Sequence, residues 1–197
     1  MIEKMANGLA DQLVEACLIE KERQEDYAYT YTCMAEKIIT SGTILILSLV
    51  LKNFIPTIFF LTFFFALRTR TGGYHSDTFL KCYFGTIAVY LFTFFICNYV
   101  AVNRVSLAVL LGLSTVVIGV FGTLNNPAIH MNRHELNESK KSARAMLVLE
   151  DVLIVFFIVI RGEVIIIKYM SAAIILCATL MCFAKISEMF DRQEGEL

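Results

Sequence analysis

Long apolar blocks constrain this chain more than any other feature. They run at Ile38–Leu51, Phe54–Leu67, Tyr83–Val102, Val105–Leu124, Met146–Ile160 and Val164–Ala184. A soluble domain of this length is about half apolar, with its apolar residues in short periodic clusters. Here 57% of 197 residues are hydrophobic, and they are concentrated in the blocks. Such a chain belongs in a bilayer, where backbone N–H and C=O groups must be satisfied internally and helices do so. The expected class is an all-α integral membrane protein. A formal charge of −1 and the lack of a long basic patch give no reason to expect a nucleic-acid partner.

A span needs about 20 apolar residues, with about 17 a practical lower limit. The third, fourth and sixth blocks meet that length. The fifth does so if Ala143 and Arg161 flank it and the arginine snorkels. These are four longer transmembrane helices. The first two blocks are shorter, joined by only Lys52-Asn53, with Pro56 just beyond. They predict a short membrane hairpin, either two thin tilted spans or a re-entrant pair sheltered by protein, and the re-entrant form is preferred. Both forms return the chain to the same side.

Positive charge then orients the chain. Of its 17 Lys and Arg residues, four fall on one side: Lys52, Arg104, Arg161 and Lys168. The other side takes the rest, including Lys4, Lys21, Arg23, Lys37, Arg68, Arg70, Lys81, Arg133, Lys140, Lys141 and Arg144. Both termini, and the stretch from Arg68 to Cys82, are therefore expected in the cytoplasm.

Before the first block, Ile2, Met5, Leu9, Leu13 and Cys17 recur at three- or four-residue steps among charged residues. That is an amphipathic helix, suited to the membrane interface or to the protein's own cytoplasmic face. A solvated charge run at Glu20–Asp26 follows, then Tyr27, Tyr31, Met34 and Ile38 at helical spacing. This arm either merely packs or also holds a substrate. It contains no uninterrupted apolar core of the kind a cleavable signal has. Six cysteines show no CxxC pattern, and Cys97, Cys177 and Cys182 lie inside apolar blocks as small hydrophobes. Disulfides are not expected, which fits a bacterial inner membrane facing a reducing compartment.

One stretch carries chemistry. Arg68-Thr-Arg70-Thr-Gly72-Gly73-Tyr-His75 is followed by Cys82, where two apolar blocks meet. Cysteine attacks as thiolate, and a free thiol is only a few per cent ionised at pH 7. A neighbouring His takes the proton, and a helix N-terminus adds partial positive charge. Ser76 or Asp77 is a reasonable N-cap for a helix through Thr78, Phe79 and Cys82. In one straight helix His75 and Cys82 would stand about 10.5 Å apart along the axis. His75 is therefore expected on the loop, folded back over the first turn, as Gly72 and Gly73 permit. Bland readings exist for each part: a core cysteine, a glycine cap, and arginines that merely anchor the span.

The pattern Arg68-x3-Gly72-Gly73-x-His75-x6-Cys82, within a chain of short membrane helices, resembles the accessory gene regulator B (AgrB) family. A second stretch, Pro127-x4-Asn132-Arg133, resembles a weaker motif that usually reads Pro-x4-Asn-Lys-Pro; here His134 replaces the last Pro. The resemblance covers nearly the whole chain. It implies a membrane cysteine endopeptidase that cleaves the C-terminal part of a quorum-sensing peptide precursor and promotes its cyclisation. Cys82 would be the nucleophile and His75 the general base. Arg68 would support the site or bind substrate carboxylates, with Arg70 near enough to help, and Gly72 and Gly73 would shape the turn. Asp77 is a candidate for orienting His75. Pro127, Asn132 and Arg133 would be supporting residues, and Arg133, Lys140, Lys141 and Arg144 would either attract an acidic precursor tail or act as anchors.

The implied layout is one membrane peptidase domain over 1–197. It comprises an interfacial arm at 1–37, the hairpin at 38–67, a catalytic segment at 68–82, four spans over 83–184 with a basic loop at 125–145, and a tail at 185–197. Expected partners are the precursor, membrane lipid and a second copy of the chain, with no cofactor or metal. The expected location is the bacterial plasma membrane, with the site near its cytoplasmic face. The implied reaction also needs water held off a thioester, for which Phe59, Phe60 and Phe63–Phe65 could form a roof. The main rival is a non-enzymatic transporter or channel subunit, for which Glu150 and Asp151 are the suggestive pair. A metallopeptidase built on His130, His134 and Glu135 has the order HxxxHE rather than HExxH and lacks a third ligand.

Overall fold

A computed structural model describes residues 2–72, 79–124 and 132–194, which are helical with no strand among them. The helices are α1 (Ile2–Glu15), α2 (Gln24–Val50), α3 (Phe54–Thr71), α4 (Phe79–Tyr99), α5 (Arg104–Phe121), α6 (Arg133–Val159) and α7 (Val164–Glu194). Five are long and apolar enough to cross a membrane: α2, α3, α4, α5 and α7.

Two blocks differ from their sequence reading. The first block is only the C-terminal part of α2, which has 27 residues and continues unbroken through residue 37. Tyr27, Tyr31 and Met34 supply the earlier turns, so α2 is about 40 Å long and spans by length where the block alone would not. The fifth block is the C-terminal half of α6, whose first turns are charged, and α6 is not among the five. The α2–α3 connection is tight because Lys52 takes a left-handed φ of 54°. Lys52 N–H then donates to Leu49 O at 3.1 Å and Asn53 N–H to Ser48 O at 2.9 Å, which closes the end of α2.

The core is built around α7. Ile166, Tyr169, Met170, Ala173, Ile174, Cys177, Ala178 and Met181 form one buried face at three- and four-residue steps. Against it α3 packs Phe60, Phe63, Phe64 and Leu67, and Phe60 meets Tyr169 edge-on at 6.3 Å between ring centres. Several polar side chains inside this core are paired, since hydrocarbon offers them no water, although Ser171 and Glu150 are buried without a hydrogen-bond partner among the described residues. Thr57 and Tyr90 share a hydrogen bond at 2.9 Å between α3 and α4, and Asn98 donates to the Tyr169 hydroxyl at 3.0 Å between α4 and α7. Phe84, Phe92 and Phe95 on α4, and Val109, Leu113 and Val116 on α5, remain exposed as a lipid-facing surface requires.

The amphipathic helix α1 lies against α2, tied by a hydrogen bond from Gln24 to Asp11. It packs through Ala6 and Ala10, while Met5 and Leu9 of the sequence-predicted stripe are 66% and 49% exposed. Small residues let the two backbones approach, and the larger apolar stripe is left for the membrane interface.

Candidate functional site

Arg68 and Arg70 occupy the last turn of α3. The helix ends at Gly72, whose φ of 66° and ψ of −153° lie in a region that is essentially glycine-only. A Cβ on this residue would also stand 2.9 Å from the carbonyl oxygen of Leu124. The Arg68 guanidinium donates to the Gly72 carbonyl and so braces the turn.

Hydrogen bonds fix where this turn sits. Leu124 N–H donates to Thr71 O at 3.0 Å, and the Thr123 hydroxyl donates to Arg70 O at 2.8 Å. Ser139 Oγ donates to the same carbonyl at 3.2 Å, and Thr123 and Ser139 lie 3.1 Å apart. Arg70 Nε donates to Ser142 at 3.0 Å. The end of α3 is thus clamped between the end of α5 and the first half of α6. The chain leaves toward the Gly-Gly-His motif at Gly72 and toward the Pro127 motif at Leu124, two residues that touch. No spacing rule could place these segments together, because they are about 50 residues apart in the chain.

Cys82 lies in the first turn of α4 with its side chain exposed. Tyr83, next in the chain, bonds through its hydroxyl to Thr43 of α2 at 3.1 Å and fixes the start of α4. The exposed sulfur separates Cys82 from Cys97 and Cys177, which are buried.

Gly73, His75, Asp77 and Pro127 lie outside the described residues, as do Ser76 and His130. Asn132 caps α6, accepting from Arg133 N–H at 2.6 Å, while Glu135 accepts from Asn132 N–H at 2.9 Å. This reciprocal box explains the Asn of the second motif as a helix start. It also engages the Glu135 carboxylate, and Arg133 and His134 point to solvent. Among the described residues no three His, Cys, Asp or Glu side chains gather as a metal site. The phenylalanine roof has a different use. Phe60, Phe63 and Phe64 are buried in the packing of α3 on α7, and Phe59 meets Phe157 of α6 edge-on.

Thr123 and Ser139 were invisible as site residues in the sequence, since a single hydroxyl beside an apolar block carries no pattern. Thr123→Val keeps the shape and removes the donor. It is expected to cost about 1 kcal/mol of stability and, through misplacement of the turn, to slow peptide processing by about tenfold. Thr123→Ser should restore most of both. Single-turnover rates for the two variants check this.

A helical multi-pass membrane protein with an exposed cysteine at a clamped helix junction is the class these features define. The family model described as Accessory gene regulator B matches residues 2–185, and the chain belongs to that family. Membership implies a role in processing a quorum-sensing peptide, with a peptide precursor as substrate. No curated protein and no solved structure matches the chain.

Proposed function

We propose that this protein is a cysteine endopeptidase that cleaves its peptide precursor through an acyl-enzyme thioester and promotes ring closure. The observation that carries the reading is the exposed Cys82 in the first turn of α4, the helix that follows the Arg68–Gly72 turn in the chain. His75, seven residues before that turn's cysteine along the family motif, takes the thiol proton. The Cys82 thiolate attacks the scissile carbonyl, and the C–N bond breaks as the imidazolium gives its proton to the leaving amine. The precursor's C-terminal segment departs. An internal Cys (or Ser) of the bound half then gives its proton to His75 and attacks the thioester. A thiolactone (or lactone) leaves, and Cys82 is regenerated.

A peptide bond is lower in free energy than a thioester, so the first step runs uphill and water must be kept from the intermediate. Arg68 and Arg70, in the last turn of α3, supply positive charge for carboxylates of the departing C-terminal segment. Asp77 is the proposed orienting carboxylate for His75, and Gly73 and Pro127 are proposed supporting residues of the two motifs. The positive-inside excess supports cytoplasmic termini and a site at the cytoplasmic face of a bacterial plasma membrane. The exposed apolar faces of α4 and α5 suit lipid contact and a second protomer.

The test is intact mass of the purified protein after incubation with its precursor, followed by peptide mapping. A hydroxylamine-labile adduct on Cys82, equal in mass to the N-terminal part of the precursor, is the expected result. Cleavage without any adduct, or an adduct on another cysteine, would sink the assignment.

A further inference from the structure

Helix α5 ends in a way its own backbone does not complete. The Gly122 N–H closes the last turn by donating to Ile118 O at 2.7 Å, and its φ of 66° then turns the chain aside. In a continuing helix the next carbonyl, Gly119 O, would accept from the Thr123 N–H. Among the described residues no backbone N–H serves it. A side chain from another helix does: Arg144 of α6 donates from Nε to Gly119 O at 2.9 Å. The last turn of α5 holds no basic residue of its own, so Arg144 also brings the cation that a helix C-terminus favours.

The two residues released from α5 at this point are the ones that hold α3. The Thr123 hydroxyl donates to Arg70 O, and Leu124 N–H donates to Thr71 O. Lys140, one turn before Arg144 on α6, closes on the same place: a Cβ on Gly122 would stand 2.9 Å from Lys140 Cγ. A basic residue that only anchored a span would extend toward headgroups and water. Arg144 is exposed, yet its Nε is directed at one backbone carbonyl.

We infer that Arg144 is a positioning residue for peptide processing: its Nε–H stands in for the Thr123 N–H, ends α5 at Gly122 and so presents Thr123 and Leu124 to the end of α3. It acts through that bond and not by attracting substrate carboxylates. The inference rests on the acyl-transfer reading above, in that the clamped turn leads on to Cys82.

Two substitutions of matched length separate the bond from the charge. Arg144→Gln keeps a nitrogen donor on Cδ, where Nε stands, and removes the charge. Arg144→Met puts a methyl group there and removes both. Hydrogen exchange of the Leu124 amide, measured by mass spectrometry on the whole protein in lipid nanodiscs, reads the clamp without any precursor. Arg144→Met should speed that exchange by about tenfold, with α7 amides unchanged. Its single-turnover processing rate at saturating precursor should fall by about tenfold, with KM unchanged. Arg144→Gln should stay within about twofold of the wild type in both measurements.

Equal losses in the two variants, or a loss carried by KM, would assign the effect to charge and overturn the proposal. So would wild-type behaviour of Arg144→Met, faster exchange throughout α7, or faster exchange at Leu124 with processing intact. Wild-type protein that forms no Cys82 adduct would instead count against the acyl-transfer reading. The exchange of Leu124 in the two variants then still decides whether Arg144 holds the clamp.

Discussion

Cys82→Ala should abolish both adduct and cleavage, a fall of at least about a thousandfold, because positioning without a nucleophile cannot form the thioester. The protein should insert and unfold as the wild type does, since the Cys82 side chain is exposed and packs against nothing in the core. The other cysteines serve as controls. Cys97 and Cys177 are buried among α4, α3 and α7, away from solvent and substrate, and Cys17 lies just past the end of α1. Cys17→Ala is expected to keep the wild-type rate. Intact mass and precursor cleavage, measured on the same preparations, check all of this. Cleavage that survives Cys82→Ala would show that another group attacks the peptide.

Gly72→Ala should be the most damaging substitution among the residues that do no chemistry. The position has a φ of 66° with ψ at −153°, where an L side chain is strained by about 1–3 kcal/mol. The added Cβ would also lie 2.9 Å from Leu124 O, a backbone atom held in place by the Leu124–Thr71 hydrogen bond. Neither problem is solved by a small side-chain shift. The end of α3 must move from α5, and the catalytic turn moves with it. An acylation rate lower by about a hundredfold is expected, since displacements near 1 Å carry penalties of that order. Gly42→Ala, with open space around a Cβ in the middle of α2, is the matched control and should have little effect. Equal behaviour of the two variants would show that the turn is not critical.

These two variants probe different levels of the molecule. Cys82 is legible in the sequence as a candidate nucleophile because the proposed chemistry is local: a nucleophile needs a base, a nearby helix start and a turn, and candidates for all of these fall within fifteen residues. The glycine at 72 is legible as a turn former. Its contact with Leu124 is not, because close approach between segments 50 residues apart leaves no mark on either.

The same division explains the fold. Apolar block length predicted α4, α5 and α7, since crossing hydrocarbon demands a minimum run of apolar side chains and the blocks supply it. It underestimated α2, because helix continuity depends on backbone hydrogen bonds and not on hydropathy, and the polar turns before Ile38 extend the same helix. It overestimated α6 for the opposite reason: a long helix need not be a long apolar one. For α1 the periodic stripe predicted an amphipathic helix, but the tertiary structure chose the small-residue face for α2 and turned Met5 and Leu9 outward.

The sequence by itself therefore determined that the chain is a helical membrane protein of its family, with Cys82 and His75 as the candidate pair. Hydrocarbon and thiol chemistry are strict about local composition, so those properties are written locally. Only the tertiary structure decided that Gly72 and Leu124 meet, that Thr123 and Ser139 clamp Arg70, and that Glu150 is buried without a hydrogen-bond partner among the described residues. Those are consequences of helix packing, in which a residue's neighbours come from other helices and its own sequence context cannot name them.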